Sequence, residues 1–195
     1  MKLALFASGN GSNFEAIQEA IVEGRLSAKI VLLVSDNPEA YAIKRAEKYG
    51  IPVFSFQPKT YENKAAFEKE IVAALKNAGV EFIVLAGYMR LIGPTLLHAY
   101  ENRIVNIHPS LLPAFPGKDA IGQAWKAKVK VTGVTVHFVD EGMDTGPIIA
   151  QEAVTVKETD SLSSLTKAIQ AVEHRLYPDT LAAIIAKYKQ KGVRT

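Results

Sequence analysis

The chain of 195 residues contains no cysteine. This absence excludes a disulfide framework, zinc sites built on thiolates and a cysteine nucleophile, and it suits a reducing compartment. Long apolar runs are also missing, because no stretch approaches the roughly 20 residues of a membrane helix. The apolar start, Met1 to Ala7, ends at a polar glycine segment, too soon for the core of a signal peptide. We therefore expect a cytoplasmic protein with no membrane partner.

The chain also lacks a large excess of positive or negative charge. The formal net charge is +3, from 23 Lys and Arg against 20 Asp and Glu. Much of the excess lies in a basic tail made of Lys187, Lys189, Lys191 and Arg194. Such a tail is typical of a solvated helix end, whereas a nucleic-acid binder usually has a concentrated basic face with aromatics. We predict no nucleic-acid partner and, because no heptad or sticky strand is present, a monomer or weak homodimer.

The first half of the chain alternates short apolar runs with helical patterns. This order predicts an α/β fold with a Rossmann-like, mostly parallel twisted sheet flanked by helices. The predicted strands are Leu3 to Ala7, Ile30 to Ser35, Val53 to Phe56, Phe82 to Ala86 and Ile104 to Ile107. The predicted helices are Phe14 to Val22, Tyr41 to Tyr49 and Tyr61 to Asn77.

After Ile107 the pattern changes. A Pro-rich loop and a short helix, Asp119 to Lys128, precede the predicted strands Thr132 to Val139 and Pro147 to Val156. The connection between these strands is short, which forces them to be antiparallel. A helix from Ser161 follows, and we expect it to be bent or broken near Pro178. Without a repeat or linker, residues 1–195 are expected to form one domain.

A glycine loop, Ser8-Gly9-Asn10-Gly11-Ser12-Asn13, separates the first strand from the first helix. Backbone N–H groups at a helix start attract phosphate, and glycines permit close approach. No Gly-Lys-Ser/Thr follows, and Phe14 stands where a dinucleotide fingerprint has its third glycine, so a single phosphate is favoured. The alternative is a capping box, Ser12 to Glu15, which explains these residues without a ligand. The two interpretations are compatible.

A polar pair ends the fifth strand. Asn106 and His108 are two apart and share one strand face, at the carboxyl end where open α/β sheets bind ligands. An amide beside an imidazole suits oxyanion stabilisation and proton transfer. His137 shares a face with Thr135 and either reaches the same cleft or is structural. No His-x-x-x-His or His-Glu pairing of ligand type occurs, which predicts no metal site.

Asp144 lies between glycines in the loop that joins the two antiparallel strands. Aspartates in such loops usually bond their own backbone. The functional alternative brings Asp144 next to His108, where a carboxylate would favour the protonated imidazole.

Together these segments resemble the folate-dependent formyltransferases over nearly the whole chain. The run Asn106-Ile107-His108-Pro109-Ser110-Leu111-Leu112-Pro113 is highly specific to that group. The glycine loop narrows the likeness to the branch that formylates phosphoribosylglycinamide in purine synthesis. The other matching segments are Leu85 to Ile92, Asp140 to Pro147 and Glu173-His174.

The resemblance implies 10-formyltetrahydrofolate as co-substrate, with a phosphate-binding half at about 1–100 and a folate-binding, catalytic half at about 101–195. It assigns the phosphorylated substrate to Gly11, Ser12, Asn13 and Glu173. It assigns the folate to Lys64, Met89, Arg90, Leu91, Ile92, Asn106, Asp140, Glu141, Gly142, Met143 and Asp144. The implied catalytic set is Asn106, His108 and Asp144. Lys64 departs from the family, which commonly has arginine there, and lysine lacks the planar fork.

Three alternatives share parts of this pattern. Methionyl-tRNA formyltransferases carry a further C-terminal domain, for which 195 residues leave no room. Formyltetrahydrofolate hydrolases share the trio but carry an N-terminal regulatory domain, whereas here the first predicted strand begins at Leu3. A non-catalytic nucleotide-binding module would leave Asn106 and His108 merely structural. The sequence therefore predicts an enzyme that transfers formyl directly to an amine, without a covalent intermediate.

Overall fold

The computed structural model describes residues 1–192. They form seven strands in the order β3-β2-β1-β4-β5-β6-β7. The strands are β1 (Lys2–Phe6), β2 (Lys29–Ser35), β3 (Val53–Ser55), β4 (Phe82–Leu85), β5 (Ile104–His108), β6 (Val131–Phe138) and β7 (Ile148–Thr155). The helices are α1 (Ser12–Val22), α2 (Tyr41–Lys48), α3 (Lys64–Asn77), α4 (Pro94–Ala99), α5 (Ala120–Lys126) and α6 (Leu162–Gly192), with a 3₁₀ turn at Pro58–Thr60.

Strands β1 to β5 are parallel, β6 pairs antiparallel with β5, and β7 pairs antiparallel with β6. The predicted fold class is confirmed, including the antiparallel pair in the C-terminal half. The chain leaves β1 first towards β2 and β3, then returns to build β4 on the other side of β1. Such a switch in strand order opens a crevice at the carboxyl ends of the strands, which is where ligands bind.

Two buried apolar clusters lie on the two faces of the sheet. Alternate residues of β1 divide between them, since Leu3 and Leu5 join one cluster while Ala4 and Phe6 join the other. Helices α1, α2 and α6 cover the first face, and α3 and α4 cover the second. Helices therefore cover both faces of the sheet, while the edge formed by the carboxyl ends of the parallel strands remains accessible.

Helix α6 continues through Pro178 without interruption, so of the expected bend or break the break is absent. Pro178 cannot donate a hydrogen bond to the preceding turn. The neighbouring Tyr177 anchors the helix to the sheet at this point, because its fully buried hydroxyl lies 2.9 Å from the carbonyl of Leu85 and 3.2 Å from that of Val105. Tertiary packing against the sheet thus holds this helix in register across the proline.

Two further predictions concern the C-terminal basic tail and membrane-spanning helices. Arg194 and the side chain of Lys191, which belong to the predicted basic tail, lie outside the described residues. Within residues 1–192, no helix is long and apolar enough to cross a membrane.

Candidate active site

A cavity of 910 Å³ opens at the carboxyl edge of the sheet, at the switch between β1 and β4. Its wall combines the glycine loop, the segment after β4, the end of β5, the loop between β6 and β7, and one face of α6. The residues that the sequence assigned to a site and that line this cavity are Gly11, Ser12, Asn13, Met89, Arg90, Leu91, Ile92, Asn106, His108, Asp140, Gly142, Met143, Asp144 and Glu173.

The glycine loop begins helix α1 one residue earlier than a capping box requires. Gly11 occupies the N-cap position with φ of 76°, and no side chain caps the helix. Ser12 is therefore the first helical residue, and Glu15 forms an ion pair with Arg45 of α2 instead of reaching back. The capping-box prediction is wrong. The uncapped first turn leaves backbone N–H groups available to an anion in the cavity.

Asn106 and His108 face the cavity from the end of β5. The antiparallel register sets Asn106 opposite His137 and His108 opposite Thr135. The amide nitrogen of Asn106 lies 3.3 Å from Nε2 of His137, whose Nδ1 lies 2.8 Å from the carbonyl of Phe138. These contacts hold the Asn106 amide and the His137 ring against each other at the edge of the cavity.

His108 has an acceptor at each ring nitrogen. Nδ1 lies 3.4 Å from Oδ2 of Asp144, and Nε2 lies 2.8 Å from the carbonyl of Phe115. The doubly protonated ring has a partner for both of its N–H groups in this arrangement. The side chain is 7% exposed, so the ring lies next to a carboxylate in a nearly dry environment.

Asp144 joins this cluster from the loop after β6. Its φ of 57° is left-handed, a conformation that aspartate tolerates, and its carboxylate accepts the N–H of Gly117 at 2.8 Å. Burial alone would raise the pKa of Asp144, but hydrogen bonds from His137 and Gly117, together with the charges of His108 and His137, hold that pKa below its usual value. The carboxylate is therefore ionised at neutral pH.

Thr135 and His137 differ in position. His137 lines the cavity and lies 3.7 Å from Oδ1 of Asp144. Thr135 is fully buried, donates to the carbonyl of Ser110 at 2.7 Å and accepts the N–H of Leu112 at 3.0 Å. Thr135 thus supports the Pro-rich loop that follows His108 and does not face the cavity.

The segment after β4 carries Met89 and Leu91, whose side chains are 72% and 50% exposed at the cavity. Its backbone is held from behind, because Ser8 Oγ accepts the N–H of Met89 at 2.9 Å. Lys64 donates to the carbonyl of Leu91 at 3.0 Å and does not itself line the cavity. Glu141 is likewise absent from the lining.

Glu173 projects from α6 towards the glycine loop. Its Oε2 lies 3.5 Å from the amide nitrogen of Asn13. Burial raises the pKa of Glu173 to about 7, although the hydrogen bond from Asn13 lowers it. Thr166 and Gln170 line the cavity from the same helix and were not predicted. The available signal was their spacing, since Thr166 lies four residues before Gln170 and Gln170 three before Glu173, and residues at such intervals share a helix face.

No group of three or more His, Cys, Asp or Glu side chains within residues 1–192 is placed to hold a metal ion. The cavity instead offers backbone N–H groups, side-chain amides, the imidazoles of His108 and His137, and carboxylates that include Asp144 and Glu173. Such a set binds an anion at one end and stabilises charge and moves protons at the other.

Comparison with known proteins agrees with this arrangement. The model of the formyl transferase family matches residues 1–181. The chain belongs to this family, and it is an enzyme of the formyltransferase class. A phosphoribosylglycinamide formyltransferase from Bacillus subtilis is 58% identical over 184 residues, which are 94% of each chain.

Solved structures extend the likeness. A phosphoribosylglycinamide formyltransferase from Bacillus halodurans is 59% identical, with a TM-score of 0.94 over 96% of this chain and 97% of that one. A glycinamide ribonucleotide transformylase from Geobacillus kaustophilus is 58% identical, with a TM-score of 0.92 over 94% and 97%.

Proposed function

We propose that the chain transfers the formyl group of 10-formyltetrahydrofolate to the amine of phosphoribosylglycinamide, in purine biosynthesis. The observation that supports this most is the convergence of Asn106, His108 and Asp144 in one cavity that also contains the glycine loop. The names of the relatives in Bacillus subtilis and Bacillus halodurans support the same substrate.

The two substrates would occupy opposite ends of the cavity. The uncapped N–H groups of Gly11, Ser12 and Asn13 would bind the phosphate, with Glu173 near the glycinamide. The folate would lie along two loops, largely on backbone groups, with the exposed side chains of Met89, Leu91 and Met143 packing on its rings. Residues 88–92 and 139–144 form these two loops.

The reaction would begin when the substrate amine attacks the formyl carbon, and the formyl oxygen then becomes the oxyanion of a tetrahedral intermediate. The amide N–H of Asn106 and an N–H of protonated His108 would stabilise that charge, and one such donor contributes about 10²–10³ in rate. Collapse of the intermediate breaks the bond to the folate nitrogen, which takes a proton from His108. Asp144 would keep His108 protonated beforehand and accept the amine proton, directly or through water.

The bond between His108 and Phe115 bears on this sequence. Nε2 of His108 donates to the Phe115 carbonyl, while Nδ1 faces Asp144. Delivery of the Nε2 proton would therefore require that bond to open when the substrates bind. We propose no metal in the mechanism and a cytoplasmic location, which suits two small-molecule substrates.

Folate absorbance tests the proposal. The protein is mixed with 10-formyltetrahydrofolate and phosphoribosylglycinamide, and formation of tetrahydrofolate is compared for the wild type and His108→Ala. We expect turnover that requires the amine and falls at least a hundredfold in the variant. Equal turnover in both proteins would rule out the mechanism. Turnover with water alone would show a hydrolase, and ligand binding without turnover would show an inert module.

A further inference from the structure

Arg45 of α2 contacts the glycine loop and does not line the cavity. Its Nε donates to the carbonyl of Asn10 at 2.9 Å, and its Nη2 donates to the side-chain oxygen of Asn10 at 3.0 Å. The remaining nitrogen, Nη1, forms the ion pair with Glu15 in the first turn of α1. One planar guanidinium therefore joins the residue before Gly11 to the helix after it.

The rest of α2 buttresses the same turn. The N–H of Ala42 donates to the carbonyl of Gly9 at 3.0 Å. A Cβ added to Gly11 would lie 2.7 Å from the Cβ of Ala42, so the loop and the helix are in direct contact. With the carbonyls of Gly9 and Asn10 bound by α2, the loop keeps the turn that presents the N–H groups at the start of α1 to the cavity.

Direct contact between Arg45 and a bound phosphate is not indicated. Arg45 does not line the cavity, and its side chain is 18% exposed. Its charge is already compensated by Glu15, whose other carboxylate oxygen lies 3.8 Å from the ammonium of Lys48. The planar guanidinium of Arg45 binds two oxygens of Asn10 and one of Glu15 at the same time. A lysine ammonium has the same charge but lacks this forked geometry.

We propose that Arg45 is a positioning residue, which fixes the backbone of the glycine loop for phosphate binding without touching the ligand. This inference rests on the proposed function, because it takes the loop to be the phosphate site. Its specific consequence is that loss of the forked guanidinium weakens binding of the phosphorylated ligand and leaves binding of the folate unchanged.

Lys48 provides a matched control. It lies on the same helix, carries the same charge and approaches the same Glu15, but its side chain is 65% exposed and bonds to no atom of the loop. The variants are Arg45→Met, which removes charge and fork, Arg45→Lys, which keeps the charge alone, and Lys48→Met. Melting temperatures verify that each variant is folded, and Arg45→Lys keeps the experiment informative if Arg45→Met is not.

The first measurement is the binding of ribose 5-phosphate by calorimetry, which does not depend on turnover. We expect affinity to fall about tenfold in Arg45→Met and by a similar factor in Arg45→Lys, since charge-assisted hydrogen bonds are lost in both. Lys48→Met should bind within about twofold of the wild type. Wild-type affinity in Arg45→Lys, or an equal loss in Lys48→Met, would overturn the inference because charge alone would then suffice.

The second measurement compares phosphoribosylglycinamide with its dephosphorylated form as formyl acceptors. In Arg45→Met, kcat/KM for the phosphorylated acceptor should fall about tenfold, while the dephosphorylated acceptor and the KM for folate stay within about twofold. A general structural defect would lower both acceptors equally and contradict a positioning role. Failure of the proposed function can be distinguished from failure of this inference. In the first case the wild type itself would transfer no formyl group, whatever its affinity for phosphate.

Discussion

The glycine loop and the polar cluster lie at the same edge of the sheet but are built in opposite ways. The loop presents backbone N–H groups, and α2 binds the carbonyls of Gly9 and Asn10 from outside the cavity. The cluster of Asn106, His108, His137 and Asp144 presents side chains, each oriented by another member or by a backbone carbonyl. Shape therefore governs the first region, and charge and proton position govern the second.

This difference follows from the strands beneath each region. The glycine loop joins a parallel strand to a helix, where aligned peptide dipoles supply the positive end. The cluster lies where β5 meets antiparallel β6, whose register brings His137 directly opposite Asn106. An isosteric change of a side chain should therefore damage the cluster most, and an added Cβ should damage the loop most.

The largest effect is expected from Asp144→Asn. Asparagine tolerates the left-handed backbone at this position and still accepts the N–H of Gly117, so the loop should keep its shape. The charge that stabilises protonated His108 is lost, so kcat should fall by about 10²–10⁴. Steady-state turnover of phosphoribosylglycinamide measures the change.

Asp160→Asn is the control, because that carboxylate bonds only the N–H of Lys157 and the hydroxyl of Ser164 and lies outside the cavity. Its kcat should stay within about twofold of the wild type. A near-normal kcat in Asp144→Asn would contradict the distinction between the two regions, because the charge of the polar cluster would then not contribute to turnover.

A smaller effect is expected from Gly11→Ala, which alters the shape of the loop and no charge. The added Cβ would meet Ala42 at 2.7 Å on a backbone with φ of +76°. The overlap must move the loop, and a cost of about 1–3 kcal/mol corresponds to a rise of roughly tenfold to a hundredfold in KM for the phosphorylated substrate. We expect kcat to change little.

Gly24→Ala separates the two contributions, because Gly24 has the same φ of +76° but no atom within 4 Å of an added Cβ. It should lose about 1 kcal/mol of stability from backbone strain alone, with KM unchanged. Denaturant unfolding and steady-state kinetics measure both variants. A normal KM for phosphoribosylglycinamide in Gly11→Ala would indicate that phosphate does not bind on this loop.

Much of the fold was predictable because local patterns and tertiary structure agree. The apolar runs place β1 to β5 within one residue at each end, as with Lys2–Phe6 against the predicted Leu3 to Ala7. The short connection between the last two predicted strands correctly indicated an antiparallel pair. Asn106 and His108 were predictable as neighbours because alternate residues of a strand share a face.

The errors arise where distant residues override a local rule. Ser12 to Glu15 matches a capping box, but the left-handed Gly11 begins the helix and Arg45, thirty positions along the chain, takes the carboxylate of Glu15. Pro178 matches a helix breaker, but the contacts of Tyr177 with two strands hold α6 together. Arg45 itself resembles any exposed helical arginine until α2 is packed on the loop.

Glu173 lies at the boundary between the two regions, and its variant tests how the stability of the protein depends on pH. The pKa of Glu173 is about 7 in the folded protein against an ordinary 4.5, because burial favours the neutral carboxyl. The folded state therefore retains a proton that the unfolded state has released, so stability falls as pH rises from about 4.5 to about 7 and levels off above. The full loss is at most about 3 kcal/mol.

Glu173→Gln should remove this dependence, because glutamine resembles the neutral carboxyl at every pH. Melting temperatures of the variant and the wild type should agree near pH 5 and separate by several degrees near pH 8, with the variant higher. Glu39→Gln, at an exposed position, should follow the wild-type curve throughout. If the Glu173→Gln and wild-type curves stay parallel, Glu173 is ionised when folded, and the cavity then offers the phosphate a fixed negative charge beside its N–H groups.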